Sequence, residues 1–151
     1  MGNAMINGVK LTPLRQIEVP NGDVFHALKS SDAEFCGFGE AYFSEVAPGA
    51  IKGWKRHNRM TLNIIPINGS IGFVIYDDRE GSPTRGCFDH IVLSRDGNYQ
   101  RLTLPPGLWM AFYGAGESTN MLLDIIPEPH DPTEADRRDL SEIKFNFPCE
   151  F

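Results

Sequence analysis

Eight short apolar runs, each bounded by Gly, Pro, Asn or Asp, set the strongest limit on how this chain can fold. They occupy residues 23–28, 41–46, 60–65, 71–76, 88–93, 99–104, 108–113 and 121–126, and their separators include Pro48-Gly49, Asn68-Gly69, Asp96-Gly97, Pro105-Pro106-Gly107 and Gly114-Ala115-Gly116. Runs of this length at this spacing predict an all-β sandwich or barrel. Asn68-Gly69 is predicted to close a hairpin between 60–65 and 71–76, because a type I′ turn needs positive φ at both central residues. One short helix is expected over residues 131–140, with Asp131 as its cap, Pro132 at the first helical position and Glu134 in the first turn. Residues 143–147 alternate apolar and polar and are predicted as a final strand. Neither a linker nor a repeat interrupts the 151 residues, 41% of them hydrophobic, so they read as one domain with a substantial core.

Several partners and locations are disfavoured. The apolar runs fall far short of the roughly 20 residues that a membrane-spanning helix needs. The first thirty residues hold no apolar stretch behind a basic start, so no signal peptide is expected. Cys36, Cys87 and Cys149 cannot all pair with one another and lie at no metal-ligand spacing, which predicts reduced thiols in a cytoplasmic protein. A formal net charge of −6 argues against nucleic acid as partner, although it leaves room for a local basic pocket.

The candidate pocket lies in residues 49–59. Lys52, Lys55, Arg56 and Arg59, four of the 14 Lys and Arg residues, fall there together with His57. Two readings stand: a strand edge whose cations discourage edge-to-edge pairing, or an anion site in which several cations meet a phosphate or carboxylate. Trp54 is either a stacking surface for a ligand or a core residue. Trp109, delivered by the rigid 105–107 turn, is likewise core or pocket wall. Residues 76–86 form a charged turn with internal Asp–Arg pairing, and His130-Asp131 is read as a cap.

Three blocks, Gly49 to Lys55, Asn68 to Gly86 and Leu104 to Phe112, together resemble the dTDP-4-dehydrorhamnose 3,5-epimerase family. The first reads Gly-Ala-Ile-Lys-Gly-Trp-Lys against the family's G-V-L-R-G-L-H. The second contains Asp77-Asp78-Arg79-Glu80-Gly81-Ser82-Pro83-Thr84-Arg85-Gly86 against D-x-R-x-x-S-P-T-F-G. The third reads Leu-Pro-Pro-Gly-Leu-Trp-Met-Ala-Phe against I-P-x-G-F-A-H-G-F. The resemblance implies a metal-free cupin jelly roll that dimerises by exchanging N-terminal strands, binds a dTDP-linked sugar and abstracts protons beside a ketone. Metal-binding cupins use an H-x-H pair, a glutamate and a third histidine. Here only His57 of that set is present, so no metal or other cofactor is expected.

In the family a histidine paired with an aspartate takes the proton, and a tyrosine on the other face returns one. By the same alignment Lys55 stands at the histidine, Asp139 at the aspartate, and the tyrosine falls near Leu123, where no donor is expected. Lys52 replaces the arginine that holds the diphosphate, keeping the charge but losing the bidentate fork. The candidate catalytic residues are therefore Lys55, His57 and Asp139, and the candidate substrate-binding residues are Lys52, Trp54, Arg56, Arg59 and Trp109. Strict alternation would put Lys52 and Lys55 on opposite faces, whereas the family lines its pocket with both equivalents, so the resemblance implies a bulge around Gly53. Two functions remain open: a nucleotide-sugar epimerase or isomerase working from one base, or a nucleotide-sugar-binding module without turnover.

Overall fold

The computed structural model describes residues 6–148. Its strands are β1 (Lys10–Pro13), β2 (Gln16–Ile17), β3 (Val24–Phe25), β4 (Glu40–Val46), β5 (Ile51–His57), β6 (Leu62–Asn68), β7 (Ser70–Tyr76), β8 (Phe88–Ser94), β9 (Gln100–Leu104), β10 (Trp109–Gly114), β11 (Asn120–Ile126) and β12 (Ala135–Arg137). Two five-stranded antiparallel sheets stack as a jelly-roll sandwich. The first runs β1-β9-β6-β11-β4, the second β12-β5-β10-β7-β8, and β2–β3 form a small separate ribbon. Among the described residues no helix is long and apolar enough to cross a membrane.

Alternation along each strand decides which residues fill the space between the sheets. Leu62, Ile64, Leu102, Leu104, Leu122 and Ile126 enter from the first sheet, and Ile71, Phe73, Ile75, Ile91 and Leu93 from the second. A second apolar cluster lies on the outer face of the second sheet, where Trp54, Val74, Trp109, Ala111 and Tyr113 pack under Ile143, Phe145 and Phe147. On the outer face of the first sheet the buried Arg101 ties down the segment after β3. Its guanidinium donates to the Ala27 carbonyl at 2.7 Å and to Glu34 at 2.8 Å.

Three expectations about secondary structure are corrected. Asn68 and Gly69 do not close a hairpin: β6 bonds to β9 and β11, whereas β7 bonds to β8 and β10, so the turn crosses from one sheet to the other. Both runs are almost wholly buried, as suits central strands of separate layers. The Asn120 side chain pins the crossing by accepting from Ser70 N at 3.0 Å and donating to the Val46 carbonyl at 3.2 Å. Gly69, at φ +68°, leaves no room for a Cβ beside Asn120.

Residues 131–140 form no α-helix. Asp131 makes a local turn with Thr133, residues 135–137 add to the edge of β5, and a 3₁₀ turn follows over Leu140–Glu142. Pairing at the edge of a sheet satisfies the backbone here, and it outweighs the local helix signals. The tail at 143–147 keeps its alternation, with Ile143 buried and Lys144 exposed, but it forms no sheet hydrogen bonds. It lies instead as a strap of aromatic side chains over the outer cluster. Cys149 lies outside the described residues.

Candidate active site

At one side of the sandwich the space between the sheets turns from apolar to polar. β4 ends the first sheet there, and β12 with β5 ends the second. Opposite Phe112 and Met110 of β10, the strand β5 aligns Lys52 and Lys55, and the register slips between those two pairs. The slip is the bulge expected at Gly53, and it puts both lysines on the inner face. Gly53 is required at this point: a Cβ would lie 2.5 Å from the Ala111 Cβ, and φ is +151°. Lys55 and Tyr42 face inward yet are only partly buried, and Lys52 is exposed, so the interior opens to solvent at this edge.

From the first sheet, β4 contributes Tyr42 and its neighbour β11 contributes Asp124, the two being register partners. Asp124 is 8% exposed, and its Oδ1 has no hydrogen-bond partner. Burial pushes this carboxyl up to about 7, opposed by a hydrogen bond from the Tyr42 phenol and by the charge of Lys55. Burial, together with the neighbouring Asp124, raises the phenol to about 12, so Tyr42 stays protonated and donates. Lys55 is lowered, first by burial and then by Arg137, its partner on β12, while Asp124 and Glu134 hold it up. A carboxyl, an amine and a phenol thus share one partly desolvated space, the setting in which proton transfer near neutral pH is available.

The residues singled out from sequence divide between this space and other places. Lys52 is at the mouth, its Nζ donating to the Glu45 carbonyl at 2.5 Å and lying 5.9 Å from the Phe112 ring centre. His57 is buried, with Nδ1 2.6 Å from Glu134 Oε1. Burial lowers its pKa, against the pull of Glu134. The other Glu134 oxygen accepts from the backbone of Arg59 and Met60, so this pair also clamps the turn after β5.

The bulge turns Trp54 and Arg56 of β5 to the outer face, where Trp109 of β10 also stands, so these three lie away from Lys55. Trp54 is 1% exposed and donates to the Ile143 carbonyl at 3.2 Å. Trp109 lies between the guanidiniums of Arg56 and Arg138, 4.6 and 4.5 Å from its ring centre, and donates to Asp78. Arg56 is bound to Asp136 at 2.7 Å. Arg59 is an exposed ion-pair residue held by Glu128 at 2.7 Å. Asp139 is exposed beside the 3₁₀ turn, its amide donating to Glu142 at 2.8 Å.

Asp124 and Tyr42 were the residues that sequence reasoning missed. Leu123, taken as the position opposite the base, points outward, and the next residue carries the group that points in. A single charge in the inward series Leu122, Asp124, Ile126 was the available signal. The Asp77-x-Arg79 and Ser82-Pro83-Thr84 motif, by contrast, is structural. The buried Asp77 accepts from Arg79 at 2.9 Å, Ser82 at 2.6 Å and Thr84 at 2.7 Å. Arg79 and Thr84 in turn hold the backbone of Asn7. Among the described residues no three His, Cys, Asp or Glu side chains converge as a metal site requires.

No family model matches the chain. A crystal structure of a dTDP sugar isomerase from Desulfovibrio desulfuricans is 39% identical, with a TM-score of 0.85 over 89% of this chain and 85% of that one. The dTDP-4-dehydrorhamnose 3,5-epimerase of Bacillus anthracis superposes with a TM-score of 0.86 over 99% of this chain and 90% of that one, at 21% identity. A probable low-salt glycan biosynthesis epimerase of Haloferax volcanii is 31% identical over 97 residues, 64% of this chain, and the match spans 62% of that protein's length. With the jelly roll, the three sequence blocks in order and this degree of identity, the chain belongs to the dTDP-4-dehydrorhamnose 3,5-epimerase (dTDP-sugar isomerase) family of cupins.

Proposed function

We propose that this single-domain protein is an epimerase or isomerase of dTDP-linked 4-keto-6-deoxy sugars, acting in the space between its two sheets. The observation that carries the proposal is the meeting of Lys55, Asp124 and Tyr42 at an edge where that space is polar and open. The sugar ring lies between the sheets, and Lys52 and Arg137 at the mouth offer their charges to the diphosphate. Burial and the neighbouring Arg137 lower the Lys55 pKa and so raise its share of free amine, the form that can take a proton from the carbon beside the ketone. The C–H bonding pair moves into the carbon skeleton, and the resulting enolate oxygen is stabilised by the cations around it. Return of a proton to the same or a neighbouring carbon completes epimerisation or keto transfer without any net change of oxidation state. His57, committed to Glu134 and neutral, orients the end of β5 that carries Lys55.

A homodimer in the cytoplasm fits this reading. β4 is an unpaired edge, and Phe38 and Phe43 beside it are 66% and 63% exposed, a combination that partner chains commonly cover. Sedimentation at micromolar concentration is expected to give twice the 16.9 kDa of one chain.

The deciding experiment is incubation with dTDP-4-keto-6-deoxyglucose in heavy water, followed by NMR at C3 and C5. Deuterium incorporation, with an inverted sugar or a 3-keto isomer as product, is expected. Tight dTDP binding with no exchange at any carbon would make the protein a nucleotide-sugar-binding module instead.

A further inference from the structure

Inversion at a carbon beside a ketone has a strict geometric demand: the proton must leave from one face of the ring and return to the other. The family's tyrosine for that task is not in register here, and Leu123 faces outward. The sandwich nevertheless supplies a group. β11 belongs to the first sheet and β5 to the second, so Asp124 and Lys55 enter the same space from opposite walls. A ring lying between those walls shows one face to each.

Given the reading of the site proposed above, we infer that Asp124 is the proton donor on the face of the sugar opposite Lys55, and that the Tyr42 phenol positions its carboxyl. Three observations converge on this. The Asp124 side chain is more than nine-tenths buried, and Oδ1 is left without a partner while the phenol engages the carboxyl. A free oxygen in an otherwise apolar stretch of strand, flanked by Leu122 and Ile126 and paired with Ile64, has no structural task there. Its surroundings also keep it protonated to neutrality, with a pKa pushed up to about 7 by burial. The charged and titratable groups about it are Tyr42 and, beyond it, Glu40 on the β4 side, and Lys55 on the β5 side with Arg137 and Glu134 behind it.

The chemistry balances as a two-group inversion. The Lys55 amine takes the proton from the ring carbon and becomes an ammonium, and the C–H electrons pass into the enolate. The enolate carbon then takes the Asp124 proton from the other side. A C–H bond has broken on one face and formed on the other, Asp124 is left as carboxylate, and the ammonium returns a proton to it through solvent at the mouth. Tyr42 acts through Asp124 and is a positioning residue.

The test compares wild type, Asp124→Asn, Tyr42→Phe and Lys55→Ala in heavy water, with dTDP binding followed by calorimetry. Asp124→Asn is expected to bind dTDP as wild type does and to keep exchange at the ring carbon, while formation of the inverted sugar falls at least about 100-fold, within the range that positioned acids contribute. Lys55→Ala is expected to lose both. Carbon-13 NMR of aspartate-labelled protein is expected to show a carboxyl titrating near neutrality that is absent from Asp124→Asn. In Tyr42→Phe that midpoint rises, because the phenol's hydrogen bond favours the carboxylate, and the alkaline limb of the inversion rate moves up with it. Full inversion by Asp124→Asn refutes the inference while leaving the epimerase reading intact. Joint loss of exchange and inversion in that variant would make Asp124 the abstracting base, which also overturns it, as would a wild type that yields only the 3-keto isomer or a carboxyl that titrates in the ordinary range. A wild type that turns over no keto sugar removes the reading and the inference together.

Discussion

Lys52 shows how little of a side chain's role is settled by its charge alone. Its Nζ donates to the Glu45 carbonyl and lies over the Phe112 ring, so the ammonium is held at the mouth of the inter-sheet space, and among the described residues no carboxylate forms an ion pair with it. Arg56 and Arg59, equally cationic and only a few residues away, are each bound to an acidic partner. A diphosphate therefore finds Lys52 available and the two arginines engaged. Replacing Lys52 by Ala is expected to weaken dTDP binding about ten-fold, the scale of one charge-assisted hydrogen bond, and to reduce its dependence on salt. Replacing Arg59 by Ala is expected to leave both unchanged. Calorimetric titrations at low and physiological ionic strength check this, since exposed charges are screened within about 8 Å at the latter.

At the scale of the element, β5 owes its function to one residue that carries no side chain. The register slip at Gly53 rotates the strand so that Lys52 and Lys55 share the inner face while Trp54 fills the outer cluster. A methyl group there meets Ala111 at 2.5 Å and must sit at a φ that L-residues avoid. Gly53→Ala is accordingly expected to cost roughly 1–3 kcal/mol in chemical denaturation. It is also expected to weaken dTDP binding, because relief of the contact moves Lys52 away from Lys55.

The same element shows what the sequence made legible. The strand pattern was readable because period-two alternation is a local signal, and the bulge because the family resemblance requires Lys52 and Lys55 to share a face that alternation alone would not give them. The crossing at Asn68-Gly69 was not readable, since an Asn-Gly turn can join two strands of one sheet or two strands of different sheets. The burial of both flanking runs decides between these, and burial is a tertiary fact. β12 was hidden for a related reason: its residues carry helix-start signals, and only the free edge of β5 converts them to strand. Asp124 was missed because an alignment places residues along a strand but does not say which of two neighbours points inward, and an error of one residue reverses the face.

For the whole molecule, two buried carboxyls pull stability in opposite directions as pH changes. Asp77 is held below the ordinary carboxylate range by Arg79, Ser82 and Thr84, against the opposing effect of burial. Its folded pKa is depressed, so its contribution is present above the unfolded value and is lost as pH falls towards the folded one. Asp124 behaves in the reverse sense. Its folded pKa is raised from 3.8 to about 7, so the folded state binds the extra proton between those values, and stability declines as pH rises through that window. Asp77 fastens the loop after β7 to the start of the chain through Asn7, and Asp124 sits in the opening proposed for catalysis. At neutral pH the charged Asp77 thus stabilises a structural loop, whereas Asp124 costs stability in the opening proposed for catalysis, a familiar exchange between stability and function. Asp124→Asn, which is always uncharged, is expected to match wild type in stability near pH 4 and to exceed it by roughly 1–3 kcal/mol at pH 8. The gain falls short of the full effect of the shift, because Lys55 loses a neighbouring negative charge and its own burial becomes more costly. Urea denaturation of both proteins at pH 4, 6 and 8 measures the difference directly. A gap that widens steadily from pH 4 to 7 and is flat above confirms a carboxyl titrating near neutrality in the fold. A constant gap places its titration in the ordinary range and removes the energetic basis for a proton held at this site.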